Sequence, residues 1–91
     1  MKKAVKIIIF GTVQGVFFRT FIKENADKLS IAGFIRNLED GNLEIWAEGD
    51  SKQVNEMIEI CRQGPKHAQI KRLDIIDEKF QGIDGFKILK I

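Results

Sequence analysis

An α+β sandwich, with two helices on one face of an antiparallel sheet, is the fold class predicted by this 91-residue chain. Three observations carry that reading. The hydrophobic period switches from β-like to helical and back twice along the chain. Strong turn and capping signals fall at the switches. A single cysteine allows no internal disulfide, so a packed core has to hold the fold, which suits a reducing compartment and hence the cytoplasm.

Each element follows in order. Residues 4–13 form an apolar, β-branched run that reads as the first strand. Phe18, Phe21, Ile22, Ala26 and Leu29 recur at spacings of three and four, which predicts a helix over 18–30. Residues 33–38 read as a short strand, and Asp40-Gly41 is a hairpin signal. Over 42–49, Leu43, Ile45 and Ala47 alternate with Glu44, Trp46 and Glu48, the period of a half-buried strand. Asp50 and Ser51 offer an N-cap, and Gln53 fits a capping box. Val54, Met57, Ile58 and Cys61 mark the second helix, which Gly64-Pro65 stops. Residues 68–78 read as a strand and "FKILKI" at 86–91 as an edge strand. The order βαββαβ plus a short last strand is the split βαβ, ferredoxin-like sandwich, one domain over 1–91. Its second face stays open, with Trp46 on it.

Charge and composition narrow the function. Fifteen basic residues are interleaved with thirteen acidic ones for a net +2, so no polybasic block marks a nucleic-acid or membrane partner. No stretch approaches the roughly 20 apolar residues of a membrane span. "MKKAVKIIIFGT" imitates a signal peptide loosely, but Lys6 breaks the apolar run and no small-residue cleavage site follows, so it reads as a strand. Trp46 with Arg36 lacks the paired aromatics of an RNA-binding sheet. His67 reads as a solvated loop side chain and Cys61 as a small core residue.

The stretch with chemistry is "GTVQGVFFRTF", residues 11–21. A strand ends at a glycine, turns tightly and delivers Arg19 to the first turn of a helix. A cation there adds to the positive end of the helix dipole unless an anion sits between them. Gly11 and Gly15 permit backbone angles that let successive N–H groups turn toward one centre. The guanidinium fork can grip two oxygens of one phosphate. The spacing is neither a P-loop nor a dinucleotide fingerprint. Thr12 and Gln14 add polar side chains; Gln14 either braces the loop or Asn37, or simply shapes the loop.

These residues resemble the acylphosphatase signature Gly-x-Val-Gln-Gly-Val-x-Phe-Arg at every fixed position of "GTVQGVFFR". "GFIRN" at 33–37, the Asp-Gly turn, "AEG" at 47–49, and Gly64-Pro65 with Ala68 three residues on follow the family pattern in order. Phe34, Ile35 and Leu38 depart from it mildly, and Leu38 bears on how Asn37 is held. The resemblance implies hydrolysis of acyl phosphates to carboxylate and phosphate, without metal or cofactor. It implies Arg19 as phosphate binder together with Gln14, Gly15, Val16, Phe17 and Phe18, and Asn37 as the residue that orients the attacking water. Phe17 and Phe18 are also candidates to line the acyl pocket. Phosphate is then both product and competitive inhibitor, and the protein works as a monomer with a small-molecule partner only. The alternative is a noncatalytic anion- or partner-binding module on the same fold, since fold alone does not decide function.

Overall fold

Alternation along the strands sorts the sheet into two chemically different faces. In the computed structural model, which describes residues 1–12, 16–66 and 68–89, the elements are β1 (Lys2–Thr12), α1 (Val16–Lys28), β2 (Ala32–Asn37), β3 (Leu43–Asp50), α2 (Ser51–Gln63), β4 (Gln69–Glu78) and β5 (Phe86–Ile88). Val5, Ile7 and Ile9 of β1, Ile35 of β2, and Leu43, Ile45 and Ala47 of β3 turn to one face. There they meet Phe18, Ile22 and Ala26 of α1 and Val54, Met57, Ile58 and Cys61 of α2 in one buried cluster. Each large side chain so buried contributes on the order of 1.5–3 kcal/mol.

The strand order is β4-β1-β3-β2-β5. Helix α1 lies over β2 and β5, and α2 over β1, β3 and β4. The first four strands pair antiparallel, as the split βαβ requires. The fifth does not: β5 runs parallel to β2, with Gly33 opposite Phe86, so the sheet is mixed. The reason is topological. β4 and β2 bound the four-stranded sheet on opposite sides, so the chain must cross from one to the other before β5 can form.

That crossing covers part of the face expected to stay open. The buried Glu48 carboxylate accepts from the Gln81 N–H at 2.9 Å, the Ile83 N–H at 2.6 Å and the Trp46 indole at 3.0 Å. It fastens the 79–85 segment across the sheet. Trp46 does lie on this face, half-buried and stacked on Phe34 with ring centroids 6.4 Å apart.

The helix ends have local causes. Asp50 caps α2, accepting from the Lys52 N–H at 3.2 Å, and Gly64 closes it by donating to the Ile60 carbonyl. α1 begins at Val16 and stops at Lys28, two residues earlier at each end than periodicity predicts. Ser30 takes a left-handed φ of 56°, and the Ile31 N–H turns back to the Ala26 carbonyl at 2.8 Å.

Candidate active site

Register, more than sequence distance, sets where the chemistry-bearing residues fall. Ile9 of β1 and Asn37 of β2 both pair with Leu43 of β3, so all three stand in one row across the sheet. β1 and β2 therefore run the same way and end at the same edge, two strand spacings apart, about 10 Å. Asn37 shares its face with Gly33 and Ile35 by the period of two, which is the helix-covered face. The β1–β4 register shifts at a bulge between Phe10 and Gly11, and pairing continues to Thr12 opposite Gln69. A side chain at Gly11, whose φ is +142°, would run into the Gln69 carbonyl. Glycine is what lets β1 stay paired with β4 there, through Thr12.

Arg19 stands at the start of α1, three residues after Val16. Its helical phase is informative. Phe18, Ile22 and Ala26 form the buried stripe, and Arg19 and Lys23 lie together on one flank. Lys23 donates to the Phe86 carbonyl of β5 at 3.1 Å, so that flank faces the β2–β5 side of the sheet, the side that carries Asn37. Arg19 Nε and Asn37 Oδ1 are both shielded from solvent, and neither has a hydrogen-bond partner among the described residues. Buried polar atoms in native proteins are nearly always paired, so two such atoms at one end of one face point to a bound species.

The edge that bears Asn37 is rigidly built. The Leu38 N–H donates to the Asn42 carbonyl at 2.8 Å, and the Gly41 N–H to the Leu38 carbonyl at 3.0 Å. Asp40 caps the turn by accepting from the Asn42 N–H. One pair back, Arg36 and Glu44 form an ion pair, and Lys6 lies 3.8 Å from the same largely buried carboxylate. Arg36, Asn37, Leu38 and Glu39 line a surface hollow of about 450 Å³. Of these four the motif assigns a role to Asn37 alone; the sequence marks Leu38 only as a departure beside it and Arg36 only as a partner of Trp46, and Glu39 carries no signal.

The other expected site residues separate clearly. Gln14 and Gly15 lie outside the described residues, as does His67. Val16 opens α1. Phe18 is core at 4% exposure, so its side chain lines no substrate pocket and only its main chain remains available to a ligand. Phe17 is 88% exposed. Cys61 is fully buried, and burial pushes its thiol up to about 12, which fits a core residue and not a nucleophile.

Fold and site together define a ferredoxin-like sandwich with an arginine at the start of α1 and a carboxamide at the end of β2, on the side where β1 and β2 both finish. A family model described as Acylphosphatase matches residues 5–88. An acylphosphatase of Syntrophus aciditrophicus (strain SB) is 43% identical over 90 residues, covering 98% of this chain and 94% of the relative. The crystal structure of acylphosphatase from Bacillus subtilis superposes with a TM-score of 0.92 at 32% identity, covering 99% of this chain and all of that one. Full-length HypF, in its phosphate- and nucleotide-bound form, matches 99% of this chain over 12% of its own length, with a TM-score of 0.87 and 28% identity. The chain belongs to the acylphosphatase family. No helix among the described residues is long and apolar enough to cross a membrane.

Proposed function

We propose that the protein hydrolyses acyl phosphates to carboxylate and phosphate without a metal. Arg19 and the main-chain amides of 14–19 seat the phosphate, and Asn37 orients the attacking water. The observation that carries this reading is the pair of shielded, partnerless polar atoms, Arg19 Nε and Asn37 Oδ1, at the same end of the helix-covered face. One is a cationic donor suited to a phosphate oxygen. The other is a neutral acceptor suited to a water proton.

The chemistry asks for little more. The leaving group is a carboxylate whose conjugate acid has a pKa of about 4, so it departs without a general acid. What remains is phosphoryl transfer to water, governed by positioning and by stabilisation of charge on the equatorial oxygens. The guanidinium and the loop amides supply that stabilisation. A carboxamide holds water beside the phosphate without adding like charge, which an aspartate at 37 would do. Orthophosphate matches the same seat and is a competitive inhibitor as well as the product. The protein acts as a cytoplasmic monomer on a small-molecule substrate, with no nucleic acid or membrane partner. Its sheet edges support the monomer: β5 is three residues long with Lys87 at its centre, and β4 carries Lys71, Arg72, Asp74 and Asp77.

Benzoyl phosphate hydrolysis, followed by ultraviolet absorbance with excess chelator present, tests the reading. Steady turnover unaffected by the chelator is the expected result. Turnover that collapses on chelation overturns the metal-free mechanism. Decay at the background rate, chelator or not, leaves the noncatalytic anion-binding module in its place.

A further inference from the structure

One aromatic side chain in this molecule has no structural work to do. Phe17 is 88% exposed, whereas the next most exposed internal hydrophobic residues, Ile76 and Phe80, stand at 46% and 45%. Scattered apolar surface residues are ordinary, but a phenylalanine in the first turn of a helix with nearly its whole ring in water contributes nothing to the core. The phase of α1 says where that ring stands. Phe17 and Arg19 are two residues apart, about 200° round the helix, so they project from nearly opposite flanks. The Arg19 flank faces the β2–β5 side, as the Lys23 bond to Phe86 shows. The Phe17 flank faces away from it.

The geometry of phosphoryl transfer gives this placement a meaning that rests on the proposed hydrolysis. The entering water and the leaving oxygen lie roughly in line on opposite sides of phosphorus. With water held by Asn37 on the β2 side, the leaving carboxylate and its acyl group extend to the other side of the phosphate. Phe17 stands on the flank of α1 turned away from β2 and β5. We propose that the exposed Phe17 ring is the platform for the acyl group, and that it sets a preference for substrates whose acyl group is aromatic or otherwise flat and apolar. Ring-on-ring contact at such a surface favours the aryl substrate by a factor of roughly two to ten. A small acyl group such as acetyl reaches little of the ring.

The test compares benzoyl phosphate with acetyl phosphate in the parent protein, Phe17→Ala and Phe17→Tyr, with orthophosphate inhibition measured in each. The expected result is a roughly fivefold fall in the benzoyl-to-acetyl ratio of kcat/KM for Phe17→Ala, carried by KM. Phe17→Tyr, which keeps the ring, restores the ratio. The orthophosphate inhibition constant moves less than the benzoyl KM, because phosphate has no acyl group to lose contact. A ratio that does not change in Phe17→Ala overturns the inference while leaving the hydrolysis standing. A shift in the phosphate constant as large as that in KM does the same, because Phe17 then serves the phosphate seat. Failure of the parent protein to hydrolyse either substrate removes the hydrolysis and this inference together. Phe17 packs against little, so thermal unfolding of both variants near the parent Tm verifies that they are folded.

Discussion

In the proposed reaction Arg19 supplies charge and Asn37 supplies position, and that division is measurable. Truncating Arg19 removes the only side-chain cation in the 11–19 stretch. Arg19→Ala is expected to lose roughly a thousandfold in kcat/KM and, with it, stabilisation of the protein by orthophosphate in a thermal-shift titration. Asn37→Ala leaves the phosphate seat intact, so the orthophosphate-dependent rise in Tm persists while kcat falls roughly a hundredfold or more. An Asn37→Ala protein as active as the parent would remove the water-orienting role. Residue scale is also where sequence reading reached furthest. The expectation that Arg19 binds an anion is legible because a guanidinium sits where a helix dipole is already positive. The proposed role of Asn37 is not legible in that way. It enters through family resemblance, because nothing local marks an asparagine at the end of a strand as facing a loop two strands away.

At the scale of elements, β2 depends on Gly33. Its φ is +143°, and a Cβ there would collide with the Trp46 carbonyl of the neighbouring strand. Gly33→Ala therefore either pushes β2 from β3 or strains the backbone, and it is expected to destabilise by at least about 2 kcal/mol in chemical denaturation. Gly33 also pairs with Phe86, and its N–H donates to the Gly85 carbonyl at 2.9 Å, so the same substitution disturbs the docking of β5. Turnover is expected to fall with stability in this variant, because Asn37 rides on the strand that moves. The alternating pattern of β3, the Asp50 cap and the Gly64 stop were all readable, since each rests on neighbours within a few residues. The parallel docking of β5 was not readable: a run such as "FKILKI" carries an edge-strand composition but no direction.

The whole molecule is tied together by a carboxylate whose importance no local pattern announces. Burial alone would push Glu48 up, but the Gln81 N–H, the Trp46 indole and the Ile83 N–H all donate to its charged form and hold it below the ordinary carboxylate value of 4.5. A group depressed in the folded state contributes stability above its unfolded value, and the contribution disappears as pH falls through the folded one. Glu48→Gln is expected to cost about 1–3 kcal/mol at pH 7. The gap to the parent should narrow as denaturation curves are repeated from pH 5 toward pH 3. A gap that stays constant over that range would mean that shape, and not charge, fastens the 79–85 segment. The sequence by itself determined the order of elements, the two apolar faces that meet as a core, and the place of Arg19 near the start of a helix, because periodicity, capping and turn chemistry act over a few residues. Only the tertiary structure decided that the ends of β1 and β2 share one sheet edge, that the Arg19 flank of α1 faces the Asn37 strand, and that Glu48 receives the 79–85 crossing. Those outcomes depend on strand pairings and helix placement between distant parts of the chain, and free energy shared across such contacts leaves no mark on any single short stretch.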